Sequence, residues 1–187
     1  MSSATATAIT PGLTQWEIDP SHSSVQFSVR HMMVSNVRGL FNKVSGTLQI
    51  DSRDITRSSV HAIIDAASIN TRDEQRDQHL RSPDFLDVAK FPTIEFQSTR
   101  VTRDSNGALK LAGNLTIRGV TREVVLDVED GTSELRDPWG NIKRGASATA
   151  RLNRKDYGLQ WNLALEAGGF VVGDELKIEI DVELLKK

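Results

Sequence analysis

Four histidines, His22, His31, His61 and His79, are the residues best suited to acid–base or metal chemistry, and they are spread along the chain without metal-site spacing. No H-E-x-x-H, G-x-S-x-G, phosphate-binding loop or dinucleotide fingerprint occurs. With no cysteine, thiolate nucleophiles, disulfides, iron–sulfur clusters and cysteine zinc sites are excluded. Asp73, Asp77 and His79 form the densest polar cluster, but two carboxylates four apart beside Arg72 and Arg76 read as surface ion pairs before they read as a metal site. His31 shares the parity of Phe27 and Val29, which aims it at the interior or the mouth of a sheet. It is either a core histidine bonded to backbone or a polar anchor for a ligand's head group. Arg76 and Asp77 read as a buried or half-buried pair fixing a helix. Arg154-Lys155-Asp156-Tyr157-Gly158, followed by Leu159-Gln160-Trp161-Asn162, reads as a turn re-entering a strand; its charges either brace the fold or meet an anionic group.

The elements that position these residues are strands. Val25, Phe27, Val29 and His31 alternate with polar neighbours, as do Leu109, Leu111, Gly113, Leu115 and Ile117, then Val124, Leu126 and Val128, and finally Leu176, Ile178, Ile180, Val182 and Leu184. A period of two marks strands with one apolar and one wet face. Asp104-Ser105-Asn106-Gly107 and Arg118-Gly119 have hairpin-turn chemistry, and Gly131, Gly140 and Gly173-Asp174 mark further reversals. Short turns between successive strands predict an antiparallel meander. About eight strands are expected, enough for an up-and-down sheet to close and lose its edges. One segment breaks the period: Thr71-Arg72-Asp73-Glu74 has capping-box spacing and predicts a helix over about 72–82, ended by Pro83. It is too polar for a core element, with Leu80 nearly its sole apolar anchor, and should lie across the surface or one end of the sheet.

The length of 187 residues fits one domain, with residues 1–13 read as a flexible tail and 14–187 as the folded unit. Lys+Arg 23 against Asp+Glu 25 gives a net charge of −2 with no long run of one sign, which argues against general affinity for nucleic acid. No apolar run reaches the roughly 18 residues that span a bilayer, so stable membrane insertion is not expected. The small, polar start lacks the basic and apolar regions of a secretory signal, and a cytoplasmic location is the default expectation.

Inward positions carry small residues, namely Ala62, Gly113, Ala146, Ala148 and Ala150. In a closed barrel these would leave a tunnel, roughly 20–30 Å long for strands of about ten residues. Alternatively Phe27, Phe41, Phe96 and Trp161 fill the space as ordinary core. Parity alone leaves both open.

Taken in order, the segments resemble the YceI family of lipocalin-like proteins. The match begins at Trp16-Glu17-Ile18-Asp19-Pro20-Ser21-His22-Ser23 and Phe27-Ser28-Val29-Arg30-His31. It continues through Val37-Arg38-Gly39-Leu40-Phe41, Arg76-Asp77-Gln78-His79-Leu80, Phe91-Pro92-Thr93-Ile94-Glu95-Phe96 and Gly113-Asn114-Leu115-Thr116-Ile117. It closes with Arg154-Lys155-Asp156-Tyr157-Gly158-Leu159, Trp161-Asn162 and Val172-Gly173-Asp174, spanning about Thr14 to Leu185. The resemblance implies an all-β, eight-stranded antiparallel barrel around a long hydrophobic pocket. It also implies a non-catalytic carrier or storage protein for polyisoprenoids or related amphiphiles, with no cofactor beyond that lipid. Dimerisation is compatible with the resemblance, and the sequence carries no interface signature.

The expected pocket residues are Phe27, Val29, Phe41, Phe96, Leu115, Ile117 and Trp161, with His31 near the head group. The competing reading is an enzyme acting on an apolar substrate, with His31 and a carboxylate as acid and base. A filled barrel serving as an interaction module is the third.

Overall fold

A computed structural model describes residues 12–129, 131–166 and 168–187. Among them the chain forms twelve strands and one α-helix. These are β1 (Leu13–Ile18), β2 (Ser24–His31), β3 (Ser35–Phe41), β4 (Val44–Asp51), β5 (Ser59–Asp65), β6 (Ile69–Asn70), α1 (Glu74–Arg81), β7 (Thr93–Arg103), β8 (Leu109–Ile117), β9 (Val120–Val128), β10 (Leu135–Arg136), β11 (Ile142–Asn153) and β12 (Val172–Lys186). A closed ring runs β1, β4, β5, β7, β8, β9, β11, β12 and back to β1, each strand antiparallel to the next. This is the expected eight-stranded barrel.

The extra strands arise because three staves of the barrel are bent. β12 pairs with β1 at Leu184–Lys186 and with β2 from Asp181 back to Val172, so β1 and β2 follow one another along one edge. Pro20, which has no N–H to give a ladder, sits in the break between them. β3 pairs with β2 as β4 pairs with β1, and β6 pairs with β3 as β5 pairs with β4. The upper halves β2, β3 and β6 therefore flare from the ring, and α1 with the segment after it covers the opening that follows β6.

α1 is held by polar anchors. Thr71 gives its backbone N–H and its hydroxyl to Asp77 Oδ1 at 2.9 and 2.6 Å, and Arg76 donates to the Thr71 hydroxyl and carbonyl. Arg81 donates to the carbonyls of Ala67 and Ile69. Such bonds let a helix with one apolar anchor dock on a barrel end, since each buried polar group finds a partner.

Several sequence expectations are corrected. The helix is Glu74–Arg81 rather than 72–82, because Arg72 adopts φ 63°, outside the helical region, and Asp73 is the N-cap, accepting from Arg76 N. Arg76 and Asp77 both grip Thr71 instead of each other. The chain does not reverse at Gly131: Glu129 and Thr132 bond β11 at Ser147 and Gly145, and the turn comes at Asp137–Asn141. Gly173 lies inside β12 beside a register shift, and the reversal before that strand uses Gly168 and Gly169, at φ 85° and 94°. Leu159–Asn162 does not re-enter a strand, because the Arg154 guanidinium takes the carbonyls of Leu159 and Trp161. Of the tail expected over 1–13, residues 1–11 lie outside the described residues and Leu13 already belongs to β1.

Candidate ligand-binding site

The inward rows of the ring enclose a cavity of about 260 Å³ whose lining is almost wholly apolar. Leu48, Ala62, Leu115, Ile178, Ile180 and Val182 point inward and yet are only half-buried, because they face this space. The barrel is hollow. Ala146, Ala148 and Ala150 line it on β11, and Leu109, Leu111, Val124, Leu126 and Val128 line it on the β8–β9 hairpin. Gly113 makes room for an aromatic ring instead. A Cβ there would stand 2.5 Å from Phe96 Cζ, so the glycine is the seat of that ring. Gly39 does the same for Phe27, again with 2.5 Å to Cζ.

A second space, a cleft of about 410 Å³, lies beneath α1 among β2, β3 and the segment before β12. Phe41, Phe96, Leu115 and Ile117 line the interior cavity, whereas Phe27, Val29, His31 and Trp161 line the cleft. The eight sequence-predicted residues are thus divided evenly between two compartments. Phe85, Leu86 and Ile69 are buried in the same core as Phe41 and Ile94 and close the α1 end of the interior.

His31 is half-buried on the cleft wall, and its imidazole makes no hydrogen bond or ion pair among the described residues. It is neither bonded to backbone nor paired with a carboxylate. The histidine–carboxylate pair of the cleft is His79 Nε2 with Asp84 Oδ2, at 2.8 Å, with the His79 ring edge-on to Trp161 and Phe85 at centroid distances of 4.7 and 5.1 Å. That pairing consumes His79, Asp77 is spent on Thr71 and Asp73 on the helix cap. The Asp73–Asp77–His79 cluster therefore does not assemble.

Arg154, with 2% of its surface exposed, donates to the carbonyls of Gly173, Leu159, Trp161 and Val172 and to Asp174 Oδ1. Burial lowers its pKa and Asp174 opposes that shift. Five acceptors repay the desolvation of a guanidinium, so Arg154 braces the segment that walls the cleft.

Asp19, His22 and Glu183 are the one group among the described residues with metal-ligating spacing. Their positive partner is already present: Lys143 Nζ lies 2.6 Å from Glu183 Oε1 and 3.6 Å from Asp19 Oδ2.

Sequence reasoning missed the one charged residue among those lining the interior. Arg144 lines the cavity at the end away from α1, opposite Leu184 and in line with Ala146, Ala148 and Ala150. Extending their parity by two residues would have found it. Its guanidinium carbon lies 5.7 Å from the centre of the buried Trp16 ring.

The model of the YceI-like domain family matches residues 16–184. A UPF0312 protein of Staphylococcus aureus strain N315 is 36% identical over 171 residues, 91% of this chain and 97% of that one. Among solved structures, the Campylobacter jejuni YCEI protein is 28% identical, with a TM-score of 0.67 over 84% of this chain and 90% of that chain. Burkholderia cenocepacia BcnA shares the fold at a TM-score of 0.76 and 19% identity, covering 89% and 98%. So does a polyisoprenoid binding domain from Saccharophagus degradans, described as implicated in plant cell wall breakdown, at 0.64 and 14%, covering 92% and 98%.

Proposed function

The chain belongs to the YceI-like domain family, and from that membership and its hollow interior we propose that it binds a polyisoprenoid or a related long-chain amphiphile, as a non-catalytic carrier or store. The observation that carries the reading is the continuous apolar lining contributed by every stave of the ring. Such a space favours an extended hydrocarbon over a compact polar substrate. The polyisoprenoid-binding domain that shares the fold supports the choice of chain.

Each buried methylene contributes about 0.8 kcal/mol, so five further carbons add up to ~4 kcal/mol before ordering costs. Affinity therefore climbs steeply with chain length until the cavity is full, then levels off. No described helix is long and apolar enough to cross a membrane, and the bound chain is shielded by the barrel wall instead.

The test is native mass spectrometry of protein purified from its own host, with organic extraction, followed by titration of the stripped protein with prenyl alcohols and saturated alcohols of increasing length. One lipid per chain and length-graded binding are expected. Failure of every chain length to bind would overturn the reading. His31, on which the enzyme alternative relied, makes no hydrogen bond or ion pair with a carboxylate among the described residues.

A further inference from the structure

The inward row of β11 has an arginine beyond each end of its alanines, and the two are in opposite situations. At the α1 end, Arg154 has every donor engaged. At the far end, Arg144 lines the cavity, is half-buried, and makes no hydrogen bond or ion pair among the described residues. Its one polar engagement is with the face of Trp16.

The neighbouring cations sharpen the contrast. Lys186 also sits over Trp16, at 5.4 Å, but holds both oxygens of Glu134 at 2.9 and 2.8 Å. Lys143, one residue earlier on the same strand, is bonded to Glu183. Arg144 alone of the three faces the apolar cavity and alone has no anion. A guanidinium stays charged and carries five N–H donors in a fixed fork. Leaving that fork half-desolvated against hydrocarbon is costly unless something supplies acceptors. The Trp16 ring, 5.7 Å from the guanidinium carbon, offers a cation–π contact that uses none of the N–H donors. Ser58, which lines the same cavity, accepts from Asp51 N and keeps its hydroxyl proton to donate.

We propose that Arg144 is the head-group site of the cavity, receiving the anionic end, a phosphate or carboxylate, of an amphiphile whose tail extends along Ala146, Ala148 and Ala150 toward α1. A planar fork meets either anion with two parallel charge-assisted hydrogen bonds. The head is then at the end of the barrel opposite His31. This assignment rests on the carrier reading above for the presence of a chain in the cavity.

The test uses the full-length, lipid-stripped protein and three probes: a prenyl alcohol, the prenyl monophosphate of the same chain length, and inorganic phosphate. We expect the monophosphate to bind at least tenfold more tightly than the alcohol. In Arg144→Gln that preference should fall to within twofold, and a cooperative thermal transition like that of the wild type shows that the variant is folded. Arg144→Lys should keep part of the preference, and His31→Gln all of it. Equal affinities for alcohol and monophosphate in the wild type would overturn the proposal while leaving the carrier reading intact. So would a preference that survives Arg144→Gln. Inorganic phosphate competing at the same concentration as the monophosphate would overturn a lipid head group as the source of the anion. Failure of both prenyl compounds to bind would remove the carrier reading and this assignment together.

Discussion

The rings of Phe27 and Phe41 lie 5.9 Å apart at 47° to one another, and they belong to different compartments: Phe27 lines the cleft under α1 and Phe41 the interior cavity. Gly39 makes the contact feasible. It pairs with Phe27 across β2 and β3, and with no Cβ it leaves room for that ring to lean toward Phe41. The pair is therefore part of the wall between the two spaces.

Opening that wall should lengthen the site. Phe41→Ala is expected to join cavity and cleft, so that the chain length at which affinity levels off moves upward by several carbons. The substitution should cost about 3 kcal/mol, the lower end for a buried phenylalanine, because one face of the ring already borders empty space. Titration with alcohols of graded length reads the first effect and urea unfolding the second. An unchanged plateau length would show that the barrier lies elsewhere.

The sequence made the ring of eight legible because its signal is local. Alternation in Leu176–Leu184 or Leu109–Ile117 assigns each side chain to a face whatever the neighbouring strands do. The bends that split three staves were hidden, since a break in pairing at Asp19–Ser23 leaves the alternation on either side intact. Height along the barrel was hidden too. Parity places Phe27 and Phe41 on the same side of the sheet but gives no information on which lies above the other, and the two compartments followed only from the register Val25–Phe41 and Phe27–Gly39. The capping of α1 misled for a related reason. Thr71 has the type and spacing of a cap, yet its hydroxyl is claimed by Asp77 and Arg76, so Asp73 takes that place.

Tyr157 carries the one buried side-chain polar atom among the described residues without a hydrogen-bond partner. Burial, followed by the nearby Asp156 carboxylate, pushes its hydroxyl up to about 12 from an ordinary 10.0. Tyr157→Phe removes an unsatisfied group and should stabilise the fold by about 1 kcal/mol at neutral pH. The sign at alkaline pH follows from the raised value. The folded state holds the proton more tightly, so the wild type loses stability as pH rises from 10 toward 12, and the variant lacks that loss. Urea midpoints at neutral and alkaline pH decide it. A destabilised Tyr157→Phe would mean that the hydroxyl has a partner.

Acid should weaken the barrel through three aspartates. Asp51 is held below its ordinary 3.8 chiefly by the backbone N–H of Arg53, with further help from Asp54 and Arg57. Asp19 is lowered first by His22, and Asp137 first by the Asn141 side chain. Because the folded values are depressed, the stability they contribute is present above 3.8 and is lost as pH falls through the folded values. Asp51→Asn should be less stable than wild type near pH 6, with the difference shrinking toward about pH 3 as Asp51 itself becomes neutral. Denaturation at both values measures the gap, and a gap independent of pH would remove Asp51 from the account.

The most direct separation of binding from folding lies at Ala148. Its methyl group faces the cavity between Ala146 and Ala150, and it pairs with Ile180 on β12 and Val128 on β9. In a filled core, Ala148→Leu would overpack and cost about 1–3 kcal/mol. In a hollow barrel the added carbons enter existing space and bury apolar surface, so stability should hold or rise. The same carbons occupy the path of an extended chain. The expected result is therefore a melting temperature at or above that of the wild type, together with at least a tenfold loss of affinity for long prenyl alcohols and a smaller loss for short ones. A stable variant that binds every length as the wild type does would show that the chain takes another route, with the cleft under α1 the place to look. A variant that loses stability and affinity together would mean that β11 is packed tightly against a filled interior.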